Sequence, residues 1–290
     1  MYNPGIVLIA GLLLGLACGC KSAPQQNAGG PENHFRVNLG TEPPSLDWSV
    51  ATDHVSFNVI ANLMVGLTEF NNDLRPAPMI AKSWRLYDGG RRIVFELRND
   101  VRWSDGIRVR AQDFEYSWRR LLNPKTASEY AYILFDIVNA QEYHEGKIDD
   151  PAAVGVRAID DFTLEVRLKH PASYFLSITT FEVTFPQRQD IVERFGARWT
   201  EPGNIVTNGP FLLTAWRHEN EIELKANPDF FAGKPAIEKV SMFMIGEKTT
   251  ALAMYEQGRL DFLDNHSIPA LEKPRLAKLR GFKRVPQLRG

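Results

Sequence analysis

The sequence predicts a mixed α/β fold, and two patterns within residues 95–122 carry this prediction. Phe95 and Leu97 alternate with polar residues, which is the period-2 pattern of a strand with one buried face. After a turn, apolar residues recur at i, i+4, i+7 and i+8, the spacing of one helix face, at Phe114, Trp118, Leu121 and Leu122. Strands and helices are mixed along the chain without the strict βαβ alternation of a nucleotide-binding sheet.

Before this stretch, we expect a strand, a helix and a hairpin. Apolar and polar residues alternate over 35–39, which predicts the strand. Asp53 is the expected N-cap of the helix, because its carboxylate can accept hydrogen bonds from the first turn, and apolar residues at helical spacing continue over 55–67. The hairpin spans 83–97 and turns at Asp88-Gly89-Gly90, where glycine permits positive φ.

Further elements are predicted beyond residue 122. In order, they are a helical stretch over 129–145 ending near Gly146, hairpins around Asp160-Asp161 and 218–220, a strand over 242–245, and a helix capped by Thr249 or Thr250 that stops at Gly258. Residues 273–290 carry seven basic side chains and no acidic one. The interleaved apolar residues favour a solvated helix and strand there, and the alternative is an arm for nucleic acid or phospholipid.

Composition limits the class of protein. The chain has 290 residues, of which 44% are hydrophobic and 24% charged, so it can fold around one large or two medium cores. Its formal net charge of −1 argues against a chain-wide attraction to nucleic acid or an anionic membrane. We therefore expect no nucleic-acid partner.

The N-terminus resembles an export signal. Residues 6–17 form an apolar run of twelve residues, which is shorter than the roughly 20 that a spanning helix needs. Gly15-Leu16-Ala17-Cys18 resembles a lipoprotein cleavage box, and Cys20 fits a looser version. We expect residues 1–20 to be a lipoprotein signal peptide, Cys18 or Cys20 to carry the lipid, and residues 21–33 to be a flexible tether. The alternative is a plain secretory signal with incidental cysteines.

The sequence has no recognisable catalytic or metal-binding motif. Its six histidines are isolated, and no pair has the i, i+4 spacing of a helical zinc site. Neither a nucleophile elbow nor a phosphate-binding glycine loop is present. The paired carboxylates Asp149-Asp150 and Asp160-Asp161 are interpreted as turn residues. We therefore expect no enzyme activity, no cofactor and no metal.

Ordered motifs over about residues 35–288 resemble the peptide- and nickel-type solute-binding proteins of bacterial ABC importers, solute-binding family 5. The motifs are Gly40-Thr41-Glu42-Pro43-Pro44-Ser45-Leu46-Asp47, Ala81-Lys82-Ser83-Trp84, Trp103-Ser104-Asp105-Gly106, Asp113–Arg120, Asn123–Ser128, Asn204–Phe211 and Asn227-Pro228. Within the family, the wording of 116–131 is most similar to the oligopeptide-binding branch.

This resemblance implies a periplasmic binding protein-like α/β fold of type II, in its large three-lobe variant. It places the first part of lobe I at 34–64, the small lobe II at 65–188, and the second part of lobe I with the hinge at 189–290. Full members of the family are about twice as long, so the resemblance implies a chain truncated before the second ligand lobe, with lobe III missing.

The resemblance also implies a function and a set of ligand-binding residues. The protein is expected to capture oligopeptides and deliver them to ABC permease subunits, from the periplasm or cell surface, where an N-terminal lipid anchors it. Thr52, Asp53 and His54 match an edge strand offered to the peptide backbone. Tyr130 and Phe181 match ligand-lining positions, and Asn265 is placed near the hinge.

Three alternatives to this function remain open. The chain could be a truncated fragment or relic without tight binding, or a family member that binds a non-peptide ligand such as a nickel complex. An enzyme such as a periplasmic peptidase is the most distant alternative.

Overall fold

The computed structural model describes residues 33–279 and residue 281. Within them the strands are β1 (His34–Asn38), β2 (Thr68–Phe70), β3 (Pro76–Pro78), β4 (Ala81–Tyr87), β5 (Arg92–Leu97), β6 (Val156–Asp160), β7 (Thr163–Arg167), β8 (Phe211–Arg217), β9 (Glu221–Ala226) and β10 (Lys239–Phe243). The helices are α1 (His54–Leu63), α2 (Ala111–Leu122), α3 (Ala140–His144), α4 (Phe175–Ile178), α5 (Gln189–Phe195), α6 (Lys248–Glu256) and α7 (Lys273–Leu276).

The first sheet contains the first and the last strand of the described chain. Its four strands lie in the order β1-β10-β9-β8. β1 and β10 are parallel, with Phe35 opposite Val240, whereas the other neighbours are antiparallel. Parallel neighbours need a long connection, and the chain between β1 and β10 contains the second sheet before it returns to the first sheet through β8 and β9.

The second sheet is wholly antiparallel and has the order β4-β5-β7-β6. Helix α2 packs on β6 and β7, and buries the apolar face predicted for it. Phe95, Phe114 and Trp118 are fully buried. The predicted hairpin over 83–97 is confirmed, with Gly89 and Gly90 at φ values of 65° and 93° in its turn.

Helix α2 begins without the usual capping side chain. Arg110 occupies the N-cap position, and a guanidinium has no acceptor to offer. Asp113 in the first turn compensates, because its Oδ2 accepts from the backbone N–H of Arg110 at 2.9 Å and from Nε1 of Trp103 at 3.0 Å. Burial raises the pKa of the Asp113 carboxyl to about 6.

Helix α1 is capped by Asp53 as predicted, but it is shorter than expected. The predicted apolar periodicity continued to Leu67, whereas the helix ends at Leu63. A later segment crosses there: the N–H of Gly209 donates to the carbonyl of Leu63 at 2.9 Å, and Oδ1 of Asn208 accepts from the N–H of Val65 at 2.9 Å. These contacts satisfy backbone groups that would otherwise continue the helix.

Three other sequence predictions need correction. The stretch 129–145 is not one helix, because Asn139 has φ 61° and separates a 3₁₀ turn over Ala131–Leu134 from α3. Glu247, rather than Thr249 or Thr250, caps α6, since its Oε1 accepts from the N–H of Thr249. Strand β10 ends at Phe243, and the side chain of Asn38 binds both backbone groups of Ile245 beyond it.

A partly buried ion pair fixes the N-terminal segment against α2. The guanidinium of Arg120 donates two hydrogen bonds to the carboxylate of Asp47, at 2.8 and 2.6 Å. Nε1 of Trp199 donates to the same carboxylate at 3.1 Å. One carboxylate therefore ties together three segments that are far apart in sequence.

The predicted signal peptide with Cys18 and Cys20, the tether up to residue 32, and most of the basic C-terminal stretch lie outside the described residues. No helix of residues 33–279 is long and apolar enough to cross a membrane.

Candidate functional site

The predicted ligand segment Thr52-Asp53-His54 does not form a strand. Thr52 is exposed, Asp53 has extended φ and ψ values of −118° and 154°, and His54 is the first residue of α1. Both carboxylate oxygens of Asp53 serve the cap: Oδ1 accepts from the N–H of Ser56 at 2.9 Å, and Oδ2 accepts from its hydroxyl at 2.7 Å. The structure thus gives Asp53 a structural role.

Tyr130 and Phe181 are brought together by a third aromatic residue, Phe57 of α1. The ring centroids of Tyr130 and Phe181 lie 5.4 Å apart at an interplanar angle of 83°, an edge-to-face arrangement. Phe57 lies 5.9 Å from Tyr130 and 5.4 Å from Phe181. All three are partly exposed. We refer to Phe57, Tyr130 and Phe181 as the aromatic cluster.

The backbone that follows Phe181 is held rigidly by the core. Nε1 of Trp48 and the hydroxyl of Ser117 both donate to the carbonyl of Phe185, at 3.0 and 2.6 Å. Nε1 of Trp118 donates to the carbonyl of Thr184 at 2.8 Å. Trp118 and Ser117 belong to α2, so this helix positions the chain next to the aromatic cluster.

An open apolar cleft of about 310 Å³ adjoins the aromatic cluster. Phe181 belongs to both. The other residues lining the cleft come from β2, the turn over 131–134 and the region of α4; they are Phe70, Ile133, Tyr174, Ser177, Ile178 and Thr180. Phe70 and Tyr174 are 47% and 52% exposed, which is high for large apolar side chains. The cleft is therefore an accessible surface suited to an apolar group.

Glu182, which follows Phe181, is the acidic residue next to the aromatic cluster in sequence. It is partly buried, and burial raises the pKa of its carboxyl. The site therefore places a carboxyl group in an environment that disfavours its charged form.

His54 and Asn265 lie near one another through His266. The rings of His54 and His266 have centroids 5.8 Å apart. Asn265 is exposed, and its Oδ1 accepts from Nζ of Lys273 at 2.8 Å. His54 is also three positions before Phe57 on α1, so these side chains lie on neighbouring turns of one helix face. Helix α1 thus carries both the residue that contacts His266 and the residue that contacts Tyr130 and Phe181.

Sequence reasoning missed Phe57, His266 and the cleft residues. Phe57 lies off the apolar stripe that α1 buries, and this departure was the only available signal. Among residues 33–279 there is no group of three or more histidine, cysteine or acidic side chains that could hold a metal ion.

The comparison with known families identifies the chain. The family described as "Bacterial extracellular solute-binding proteins, family 5 Middle" matches residues 75–290. The chain belongs to this family of extracellular solute-binding proteins, as the motifs predicted.

Individual relatives agree with this assignment. The oligopeptide-binding protein OppA of Bacillus subtilis is 36% identical over 284 residues, which cover 92% of this chain and 51% of OppA. The probable deoxycholate-binding periplasmic protein YgiS of Escherichia coli is 30% identical over 290 residues, covering 98% of this chain and 54% of YgiS. The chain thus spans about half the length of these relatives.

The fold is also that of a solved relative. The structure of Haemophilus influenzae OppA in complex with RPPGFSPFR matches with a TM-score of 0.80 and 32% identity, covering 86% of this chain and 49% of OppA. The predicted α/β fold of the periplasmic binding protein kind is confirmed.

Proposed function

We propose that this protein is an extracytoplasmic receptor that captures oligopeptides and delivers them to the permease subunits of an ABC importer. Family membership supports a solute-binding role rather than an enzymatic one. The names of the B. subtilis and H. influenzae relatives support peptides as the ligand class. Because the chain spans about half of each relative, peptide binding is a proposal for the protein made from the complete gene.

The observation that carries this proposal is the aromatic cluster and its adjoining cleft. An extended peptide is held by its main chain, while its side chains need accommodating surfaces that are apolar and not closely shaped. Tyr130 and Phe181 supply large rigid faces, and the 310 Å³ cleft beside them is open to solvent. We propose that Tyr130 and Phe181 line the ligand, with Thr52, Asp53 and His54 at one side and Asn265 further along.

The lobe assignment is part of the same proposal. Strands β1, β8, β9 and β10 fall in residues 34–64 and 189–290, which we assign to lobe I with its hinge. Strands β4 to β7 fall in residues 65–188, which we assign to lobe II. The grouping of these eight strands into two separate four-stranded sheets supports these boundaries, and the two-stranded sheet of β2 and β3 also falls within lobe II. Ligand capture would then involve hinge bending between lobes.

Anchoring to the membrane by a lipid on Cys18 or Cys20 completes the proposal. Metabolic labelling with a palmitate analogue would test it, with Cys18→Ser and Cys20→Ser as separate variants. One of the two variants should lose the label. Label retained in the double variant, or absent from the wild-type protein, would contradict the anchor.

Calorimetry tests the ligand class. Protein from the complete gene is titrated with a mixture of peptides two to five residues long, and separately with deoxycholate. We expect heat from the peptides. The second candidate ligand is an apolar non-peptide molecule, which the apolar cleft and the similarity to YgiS favour. Binding of deoxycholate and of no peptide would support this candidate and contradict the peptide proposal.

Substitution of the aromatic cluster tests the site. Phe181→Ala removes a wall of the cleft and the ring that contacts Tyr130, so we expect at least a tenfold rise in Kd, or about 1.4 kcal/mol. Tyr87→Ala is the matched control, because Tyr87 is 37% exposed on β4 and lies outside the cluster. Equal affinity of both variants for peptide would exclude the aromatic cluster from the site.

A further inference from the structure

A short two-stranded ribbon just before α2 carries two arginines opposite one another. Two backbone hydrogen bonds, of 2.8 and 3.0 Å, join its strands over residues 101–109. Between these bonds, Arg102 and Arg108 form an isolated antiparallel bridge. In this non-hydrogen-bonded type of cross-strand pair the Cα atoms are about 4.5 Å apart and the side chains lie closest together. We refer to residues 101–109 as the arginine ribbon.

The pairing of Arg102 with Arg108 concentrates positive charge on the solvent side of the ribbon. Both residues are exposed. Like charges directly opposite one another destabilise a strand pair. Within residues 33–279 neither arginine forms an ion pair, and Nη1 of Arg102 donates to the backbone carbonyl of Gly106 at 2.8 Å. The two charges are therefore available to an anionic partner from outside the chain.

The carboxylates next to the ribbon in sequence are paired with other arginines. Oδ2 of Asp105, in the turn of the ribbon, lies 2.9 Å from Nη1 of Arg188. Oδ2 of Asp100, which precedes the ribbon, lies 2.7 Å from Nη2 of Arg98. Because each carboxylate already has its own guanidinium partner, neither offsets the charge of the ribbon.

Two further exposed residues extend this surface. Arg110 follows the ribbon, and its Nε lies 3.7 Å from Oδ2 of Asp161, a long separation for an ion pair. Ile107, next to Arg108, is 45% exposed. The turn that carries it is fixed, because the N–H of Ser104 donates to the carbonyl of Thr207 at 2.7 Å. The ribbon thus presents three guanidinium groups and one aliphatic side chain on a rigid support.

We propose that the arginine ribbon, together with Arg110, docks on an anionic phospholipid surface. Guanidinium groups bind phosphate through paired hydrogen bonds, and a bilayer also offers the apolar boundary that Ile107 can enter. The formal net charge of −1 for the whole chain does not oppose this contact, because salt screens charges beyond about 8–10 Å and only the local charges act. The contact requires neither peptide binding nor the proposed lipid anchor.

Co-sedimentation with vesicles tests the proposal. The full chain, kept free of lipid by Cys18→Ser and Cys20→Ser, is mixed with vesicles of phosphatidylcholine alone or with an equal part of phosphatidylglycerol. Each arginine at an anionic surface contributes about fivefold to affinity, so the double variant Arg102→Gln/Arg108→Gln should bind the anionic vesicles about 20-fold more weakly. Binding to phosphatidylcholine alone should not change. Ile107→Ser should weaken binding to the anionic vesicles by at least about threefold.

Arg85→Gln/Arg217→Gln is the matched control, because it removes the same charge from arginines that lie 3.4 and 2.6 Å from glutamates. Its affinity should change by no more than about twofold. An equal loss in this control would overturn the proposal, as would unchanged binding of Arg102→Gln/Arg108→Gln, which would assign any binding to the basic residues of 273–290. Thermal denaturation verifies folding, and removal of the like-charge pair should leave stability unchanged or raised.

Discussion

The replacement Asp113→Asn should change the pH dependence of stability in a predictable direction. Burial raises the folded-state pKa of Asp113 from 3.8 to about 6. The folded protein therefore binds more protons than the unfolded chain between these values. The contribution of this group to stability is complete below pH 4 and is lost as pH rises through 6. The asparagine side chain is neutral at every pH in this range, so the variant does not lose this contribution to stability as pH rises.

The size of the effect follows from the difference in pKa. About two pKa units at 1.36 kcal/mol each correspond to roughly 3 kcal/mol when the carboxyl is fully ionised. Between pH 5 and pH 7.5, the free energy of unfolding of Asp113→Asn should rise relative to the wild type by about 1.5 kcal/mol. Both hydrogen bonds to Asp113 reach Oδ2, so an asparagine oxygen placed there can still accept from Arg110 and Trp103.

Urea denaturation of both proteins at the two pH values measures this change. Comparing variant with wild type at each pH cancels the contributions of all other titrating groups. Asp100→Asn is the control: the hydrogen bond from Arg98 lowers the pKa of Asp100 from its ordinary value of 3.8, although burial opposes the shift, so this carboxyl is ionised in both states above pH 5. Its stability difference from the wild type should therefore stay nearly constant between the two pH values. A stability difference for Asp113→Asn that is constant, or that falls with rising pH, would contradict the raised pKa of Asp113.

Three further substitutions test how the fold is held. Gly209→Ala places a methyl group 2.5 Å from the backbone at the end of α1 and should cost about 1–3 kcal/mol in urea denaturation, whereas Gly246→Ala, with 3.6 Å of clearance, should cost less. Arg120→Ala removes two charge-assisted hydrogen bonds from the partly buried Asp47 carboxylate and should lower the free energy of unfolding by about 2 kcal/mol. Asp53→Ala removes the N-cap of α1 and should lower the free energy of unfolding, measured by thermal denaturation, by about 1 kcal/mol.

Each of these has an outcome that would contradict it. Equal stability of Gly209→Ala and Gly246→Ala would show that Gly209 does not pack tightly against the C-terminal end of α1. Arg120→Met should keep part of the packing but none of the pairing, so wild-type stability in that variant would remove the ion pair from the account. Asp53→Ser retains an oxygen that can cap α1. If Asp53→Ser loses as much stability as Asp53→Ala, helix capping is not how Asp53 stabilises the protein.

Local chemistry was predictable from the sequence. The cap by Asp53 and the turn at Gly89 and Gly90 depend on residues within a few positions of one another, and the structure has both. The family motifs also predicted the fold class. Asn139 shows the limit of local patterns, because the apolar residues around it suggested a continuous helix while its left-handed conformation divides the segment.

Contacts between distant segments could not be predicted. Apolar periodicity favoured a helix to Leu67, but Asn208 and Gly209 end α1 four residues earlier through backbone contacts that no local pattern shows. The contact between His54 and His266 could not be predicted either, because the two residues are far apart in sequence. Phe57 was missed because its partners, Tyr130 and Phe181, reach it only through the folded chain.

Native mass spectrometry tests the central claim of peptide capture most directly. The protein made from the complete gene is incubated with a peptide mixture, sprayed under non-denaturing conditions, and its retained ligand is released and sequenced. We expect one peptide per chain, with retention reduced by Phe181→Ala and unchanged by Tyr87→Ala. Folded protein that retains no peptide from a saturating mixture, or that retains only a non-peptide ligand, would contradict it.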